Sequence, residues 1–118
     1  MENKMFKTIT KDSDYVDVNE DALINFVAYL LEVHKDKVQV DFDVHFNGGR
    51  EAGEITLTVN QLDIPTYAYQ NLENALDTQF QDDDDVFDYE ITTNEKGFYM
   101  VIIRFNDPIY NPNDEVWG

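Results

Sequence analysis

Covalent chemistry has little material in this chain: there is no cysteine, and Ser13 is the only serine. General acid–base work falls to the two histidines, His34 and His45. His34 lies near the predicted end of a helix, where an imidazolium meets the negative end of the dipole. His45 lies on the outward side of a predicted strand beside Asp43, a placement suited to a pH-responsive group. Neither is joined to a nucleophile and an orienting group, as a hydrolase requires. Asn47-Gly48-Gly49 lacks the lysine and following helix of a phosphate-cradling loop. The residues therefore predict no enzyme, no catalytic group and no cofactor.

Hard oxygen ligands are plentiful. Asp82, Asp83, Asp84 and Asp85 are consecutive, and Asp12, Asp14 and Asp17 lie before the first predicted helix. An EF-hand loop needs glycine at its sixth position and a bidentate glutamate at its twelfth. Counting from Asp12, those positions hold Asp17 and Leu23; counting from Asp82, they hold Phe87 and Thr93. Both candidates fail. Weak condensation of divalent cations is expected on such a surface, and no defined metal site is predicted.

The outlying property is charge. Twenty-five Asp and Glu stand against eight Lys and Arg, for a net charge of −17 over 118 residues. From Asp12 to His34 there are six carboxylates and no base, and from Glu51 to Glu95 twelve carboxylates and no base. A compact domain of this length has a radius of gyration of roughly 13–14 Å and a diameter of roughly 35 Å. Duplex DNA of that length carries roughly 20 charges. The domain therefore matches the charge of a DNA segment of its own length. Direct nucleic-acid binding needs a basic footprint and is excluded on these grounds. Solubility alone is the plainer use of such charge, although self-repulsion destabilises the compact state. Salt adaptation fits less well with the chain's many Asn, Ile, Phe and Tyr residues.

Length and apolar content predict one ordinary domain, with residues 1–18 as a lead-in and 106–118 as an irregular tail. Phe6 and Ile9 offer anchoring, and Lys4 to Lys11 suit a short edge strand. Pro108 and Pro112 argue that the tail, which ends near Trp117, cannot continue a sheet. No apolar run has the length of a membrane helix, and no apolar core follows the N-terminal lysines as in a signal peptide. With cysteine absent as well, the expectation is a cytoplasmic protein with no membrane partner.

Helix periodicity covers about residues 19–34, with Leu23, Phe26, Val27, Leu30 and Leu31 on one stripe. Asp17 with Glu20 resembles a capping box, and Lys35 and Lys37 favour the far end. Strict alternation follows from Val38 to Phe46. Val38, Val40, Phe42, Val44 and Phe46 are predicted inward, with Gln39, Asp41, Asp43 and His45 outward. After the turn, Ile55, Leu57 and Val59 return with Glu54, Thr56 and Thr58 outward. Pro65 opens a second helix to about Phe80, with a stripe of Tyr69, Leu72, Ala75, Leu76 and Phe80. Its exposed side carries Asn71, Glu73, Asn74, Asp77 and Gln81. A strand with Phe87, Tyr89 and Ile91 inward and Asp88, Glu90 and Thr92 outward leads through Thr93 to Gly97 into Phe98 to Phe105. That last run is apolar enough for a central strand.

The predicted class is α+β, in the order αββαββ, with a four-stranded antiparallel sheet and both helices on one face. Asp41-Phe42-Asp43-Val44 and Asp88-Tyr89-Glu90-Ile91 share a pattern 47 residues apart, in keeping with two αββ units. The expected partner-binding residues are Asp41, Asp43, Glu54, Glu73, Asp77, Asp82, Asp83, Asp84, Asp85, Asp88 and Glu90.

In length, base-free stretches and the acids at Asp41, Asp43, Asp82 to Asp85, Asp88 and Glu90, the chain resembles the small acidic DNA mimics that phages and mobile elements direct against restriction or CRISPR nucleases. The likeness is one of charge and size, without a shared motif. It implies a basic, nucleic-acid-binding partner, such as a nuclease, whose channel is occupied by carboxylates in place of phosphates. An immunity-type inhibitor of a basic toxin would use the same physics. A virion assembly protein is the reading from another class, and a homodimer through the open sheet face is compatible with any of them.

Overall fold

The structure is a computed structural model that describes residues 7–9, 16–18, 20–81, 86–107 and 109–110. Helix α1 runs Glu20–Leu31, and a single 3₁₀ turn at Lys35–Lys37 leads into β3, Val38–Asn47. Strand β4 is Arg50–Val59, α2 is Thr66–Phe80, β5 is Val86–Thr93 and β6 is Tyr99–Phe105. These form an antiparallel sheet in the order β3-β4-β6-β5, preceded and divided by the helices as αββαββ. The two return strands, β4 and β6, lie side by side at the centre, so each αββ unit contributes one edge and one central strand. The radius of gyration is 14.1 Å.

Helix α1 buries Leu23, Val27, Ala28 and Leu31, and α2 buries Ala68, Leu72, Leu76 and Phe80. They close over Ile55, Leu57 and Val59 of β4 and Val101, Ile103 and Phe105 of β6 in one core. Period 3.6 on the helices and period 2 on the strands supply that core. Helix α1 ends earlier than its periodicity suggests. Glu32 turns left-handed (φ 60°), Val33 N–H reaches Ala28 C=O at 3.0 Å, and Glu32 N–H reaches Tyr29 C=O at 3.3 Å. This is a Schellman cap built on a residue other than glycine. Asp17 lies in a strand rather than at the helix N-cap.

The first hairpin turns through Gly48 and Gly49, both at positive φ, the type I′ geometry that two-residue hairpins favour. β3 outruns the helices above it. Along its inward side exposure rises from the buried Val38 through half-buried Val40 and Phe42 to Val44 at 38% and Phe46 at 71%. All five keep the predicted inward side, but its burial fades toward the hairpin, where no described helix covers Val44 and Phe46. A register shift between Val86 and Asp88 adds an extra residue in β5. It turns Phe87 out of the core to 51% exposure, against the alternation, while Tyr89 and Ile91 stay half-buried.

A second, smaller sheet was not expected. β1 (Lys7–Ile9) pairs antiparallel with β2 (Val16–Val18), and β2 pairs parallel with β7 (Ile109–Tyr110). The lead-in and the start of the tail thus join each other: β1 lies within the Lys4 to Lys11 run read as a short edge strand, and β7 pairs in this sheet instead of continuing the four-stranded one. Gly53 N–H of β4 donates to Asp107 C=O at 3.1 Å where the chain leaves β6. Trp117 and Pro112 lie outside the described residues.

Candidate protein-binding surface

The sheet face turned away from the helices is set by register. One transverse row reads Asp43, Glu54, Arg104, Asp88 across β3, β4, β6 and β5; the next reads Asp41, Thr56, Ile102, Glu90. Five carboxylates and one guanidinium therefore share this face, a formal excess of four negative charges. Asp41 and Asp43 are exposed on edge strand β3. Asp43 Oδ1 accepts the neighbouring Val44 N–H at 2.8 Å, which occupies a backbone donor on the sheet's edge.

Arg104 is the centre of the face. Its Nε donates to Glu54 Oε1 at 3.3 Å, Nη1 to Asp88 Oδ1 at 3.0 Å and Nη2 to Glu90 Oε2 at 3.1 Å. The Asp88 carboxylate, aided by Glu90 and Glu54, holds the guanidinium pKa above its ordinary value, against the opposing effect of partial burial. The Arg104 side chain is 26% exposed and Glu54 only 18%, whereas Asp88 and Glu90 are each 49% exposed. This revises the expectation that Glu54, Asp88 and Glu90 are open charges. Glu54 is committed inside the molecule, and Asp88 and Glu90 reach solvent with one oxygen each tied to Arg104.

His45 closes one end of the face. Its Nε2 lies 2.8 Å from Phe105 C=O and its ring stacks on Phe87 at 5.6 Å. A carbonyl only accepts, so Nε2 carries the proton. The imidazole thereby bridges edge strand β3 to central β6 above the fully buried Ala52. His34, read from sequence as a helix-dipole contact, instead caps the 3₁₀ turn: its Nδ1 accepts Asp36 N–H at 3.1 Å.

Glu73 and Asp77 project from α2 beside β5. The Tyr89 hydroxyl donates to Asp77 Oδ1 at 2.7 Å, and this bond, with partial burial, raises the Tyr89 phenol pKa above its usual value. Glu73, Asp77 and Glu90 edge one groove together with Tyr69 and Tyr89.

Of the expected residues, the structure places Asp41, Asp43, Glu54, Asp88 and Glu90 on the open face and Glu73 and Asp77 at its β5 margin. The run Asp82, Asp83, Asp84 and Asp85 lies outside the described residues, as do Asp12 and Asp14. Among the described residues no group of three or more His, Cys, Asp or Glu is arranged to hold a metal, and no helix is long and apolar enough to cross a membrane. Sequence reasoning missed Arg104. The available signal was a lone base at an outward position of β6, next to a strand whose outward positions are acidic. No family model matches the chain, and no curated protein or solved structure is detectably similar to it.

Proposed function

We propose that this chain is an acidic protein-binding inhibitor that occupies the basic nucleic-acid-binding surface of a partner by imitating the charge of a duplex. The observation that carries the reading is the pairing of carboxylates on both edge strands of one open sheet face, in a molecule of net charge −17. Strands lie about 4.8 Å apart and alternate residues about 7 Å apart, so the pairs Asp41/Asp43 and Asp88/Glu90 form two acidic rails roughly 14 Å from each other. Carboxylates at such spacing present fixed acceptors to arginines, which bind them in the same planar, bidentate manner as phosphate. Excess charge speeds the encounter and makes it salt-dependent. The partner is a basic DNA-binding protein, most simply a nuclease of the restriction or CRISPR type, met in the cytoplasm.

The test is competition. A basic DNA-binding nuclease captured on this protein is expected to elute as NaCl rises and to be displaced by an excess of unlabelled duplex. The double reversal Asp41→Lys/Asp43→Lys is expected to lower capture by an order of magnitude or more, since several charge pairs at ~1 kcal/mol each are lost. A captured nuclease that stays bound in excess duplex, at an affinity indifferent to salt, refutes the reading.

A further inference from the structure

The groove between α2 and β5 has a volume of about 120 Å³ and is lined by Tyr69, Glu73, Leu76, Asp77, Tyr89, Glu90 and Ile91. Sites for cofactors and drug-sized ligands run to about 300–1,000 Å³. This one is too small for a nucleotide and has the scale of one side chain. Its inner surface is apolar and aromatic: Leu76 is fully buried, Ile91 half-buried, and Tyr69 is held by stacking on Tyr99 at 5.2 Å. Its rim is anionic on both sides, with Glu73 and Asp77 from the helix and Glu90 from the strand. Glu73 has no ion pair among the described residues. Glu90, half-exposed, already binds a guanidinium through Oε2, from Arg104, and keeps Oε1 as a second acceptor.

We propose that this groove seats one arginine side chain of the partner; the inference rests on the reading above and names the anchor. The aliphatic stem packs on Leu76 and Ile91, the guanidinium lies against the tyrosine rings, and its N–H groups meet the rim carboxylates. A planar cation on aromatic faces combines stacking with cation–π attraction, which favours arginine over the compact, strongly hydrated lysine ammonium. Charge complementarity selects the occupant, since an apolar or anionic side chain would leave three carboxylates facing it.

The test needs no partner protein. Nα-acetyl-arginine methylamide is titrated into the isotope-labelled full chain and followed by NMR, with Nα-acetyl-lysine methylamide and NaCl at equal ionic strength as the other arms. The expected result is saturable shifts at Tyr69, Leu76, Tyr89 and Ile91, with the arginine probe binding more tightly than the lysine probe. Glu73→Gln, an exposed substitution that leaves the core untouched, is expected to weaken the arginine probe about two- to fivefold, the worth of one surface charge pair. Glu95→Gln, in the β5–β6 hairpin loop, should not change it. Shifts that rise linearly and spread to β3 as they do with NaCl overturn the proposal, and so does equal binding of the two probes or an unaltered affinity in Glu73→Gln. Such a failure removes this anchor only, because DNA competition decides the wider reading by itself.

Discussion

Replacing Arg104 by glutamine tests whether the centre of the acidic face is held together from within. The substitution deletes three charge-assisted contacts of 3.0–3.3 Å and leaves Glu54, Asp88 and Glu90 facing one another without a counter-charge. The bonds to half-exposed Asp88 and Glu90 are worth roughly 0.2–1 kcal/mol each. The bond to the largely covered Glu54 falls nearer ~1.5–3 kcal/mol, as for hydrogen bonds to charged groups away from water. Together the loss is about 2–5 kcal/mol, a large share of a typical ~5–15 kcal/mol stability. At about 4 °C per kcal/mol for a domain of this size, Tm should fall by roughly 8–20 °C. Thermal unfolding followed by circular dichroism in low salt measures this directly. Raising NaCl toward 1 M, where the Debye length shrinks to about 3 Å, should narrow the gap by screening the freed carboxylates. Adding Glu54→Gln to Arg104→Gln should recover part of the loss, with a coupling of about 1 kcal/mol or more. Arg104→Gln alone removes the face's one positive charge in these two rows and makes it one unit more negative, so it should bind a basic partner more tightly at low salt while being less stable. A melting temperature within about 2 °C of the unaltered chain, with no salt dependence of the difference, refutes the clasp as a structural element.

Glu32→Gly relieves a side chain at φ 60°, whereas Glu32→Ala keeps the strained Cβ; both lose the 2.8 Å bond from the Tyr67 hydroxyl. The glycine variant should therefore be about 1 kcal/mol more stable than the alanine variant in urea unfolding. Gly97→Ala meets only Leu62 Cδ2 at 3.7 Å, so its cost is the positive φ of 87°, about 1–2 kcal/mol, read by the same measurement. The Asp77 hydrogen bond raises the folded pKa of Tyr89, so the stability it adds is complete below the unfolded tyrosine value and is lost as pH climbs through the folded one. Denaturation midpoints taken from neutral pH to beyond pH ~10 should fall less steeply at the alkaline end in Tyr89→Phe than in the unaltered chain. Equal slopes would remove the bond from the account.

The αββαββ order was legible because each main element buries one side against a single core. Leu23, Val27 and Leu31 mark one period, Ile55, Leu57 and Val59 the other. What escaped depends on facts that periodicity does not carry. The alternation of β3 continues past the reach of the helices, so Phe46 reads as core and is exposed. The extra residue at Phe87 breaks the parity of β5 without any glycine or proline to announce it. Strands as short as Val16–Val18 and Ile109–Tyr110 hold no period at all, and their parallel pairing joins residues some 93 positions apart in sequence. On the open face, the acids were visible as outward residues. Their partial neutralisation was not, because it needs the cross-strand register that brings Arg104 between Glu54 and Asp88.

The order β3-β4-β6-β5 gives the sheet an approximate twofold relation that exchanges its two halves. Asp41 corresponds to Asp88 and Asp43 to Glu90, so the rails alone look alike after a half-turn. The central strands do not: Arg104 stands where the other half has Thr56, and Glu54 where it has Ile102. A visiting surface therefore meets a bare acidic margin at β3 and a partly quenched one at β5, and can tell one half of the sheet from the other although the rails themselves match.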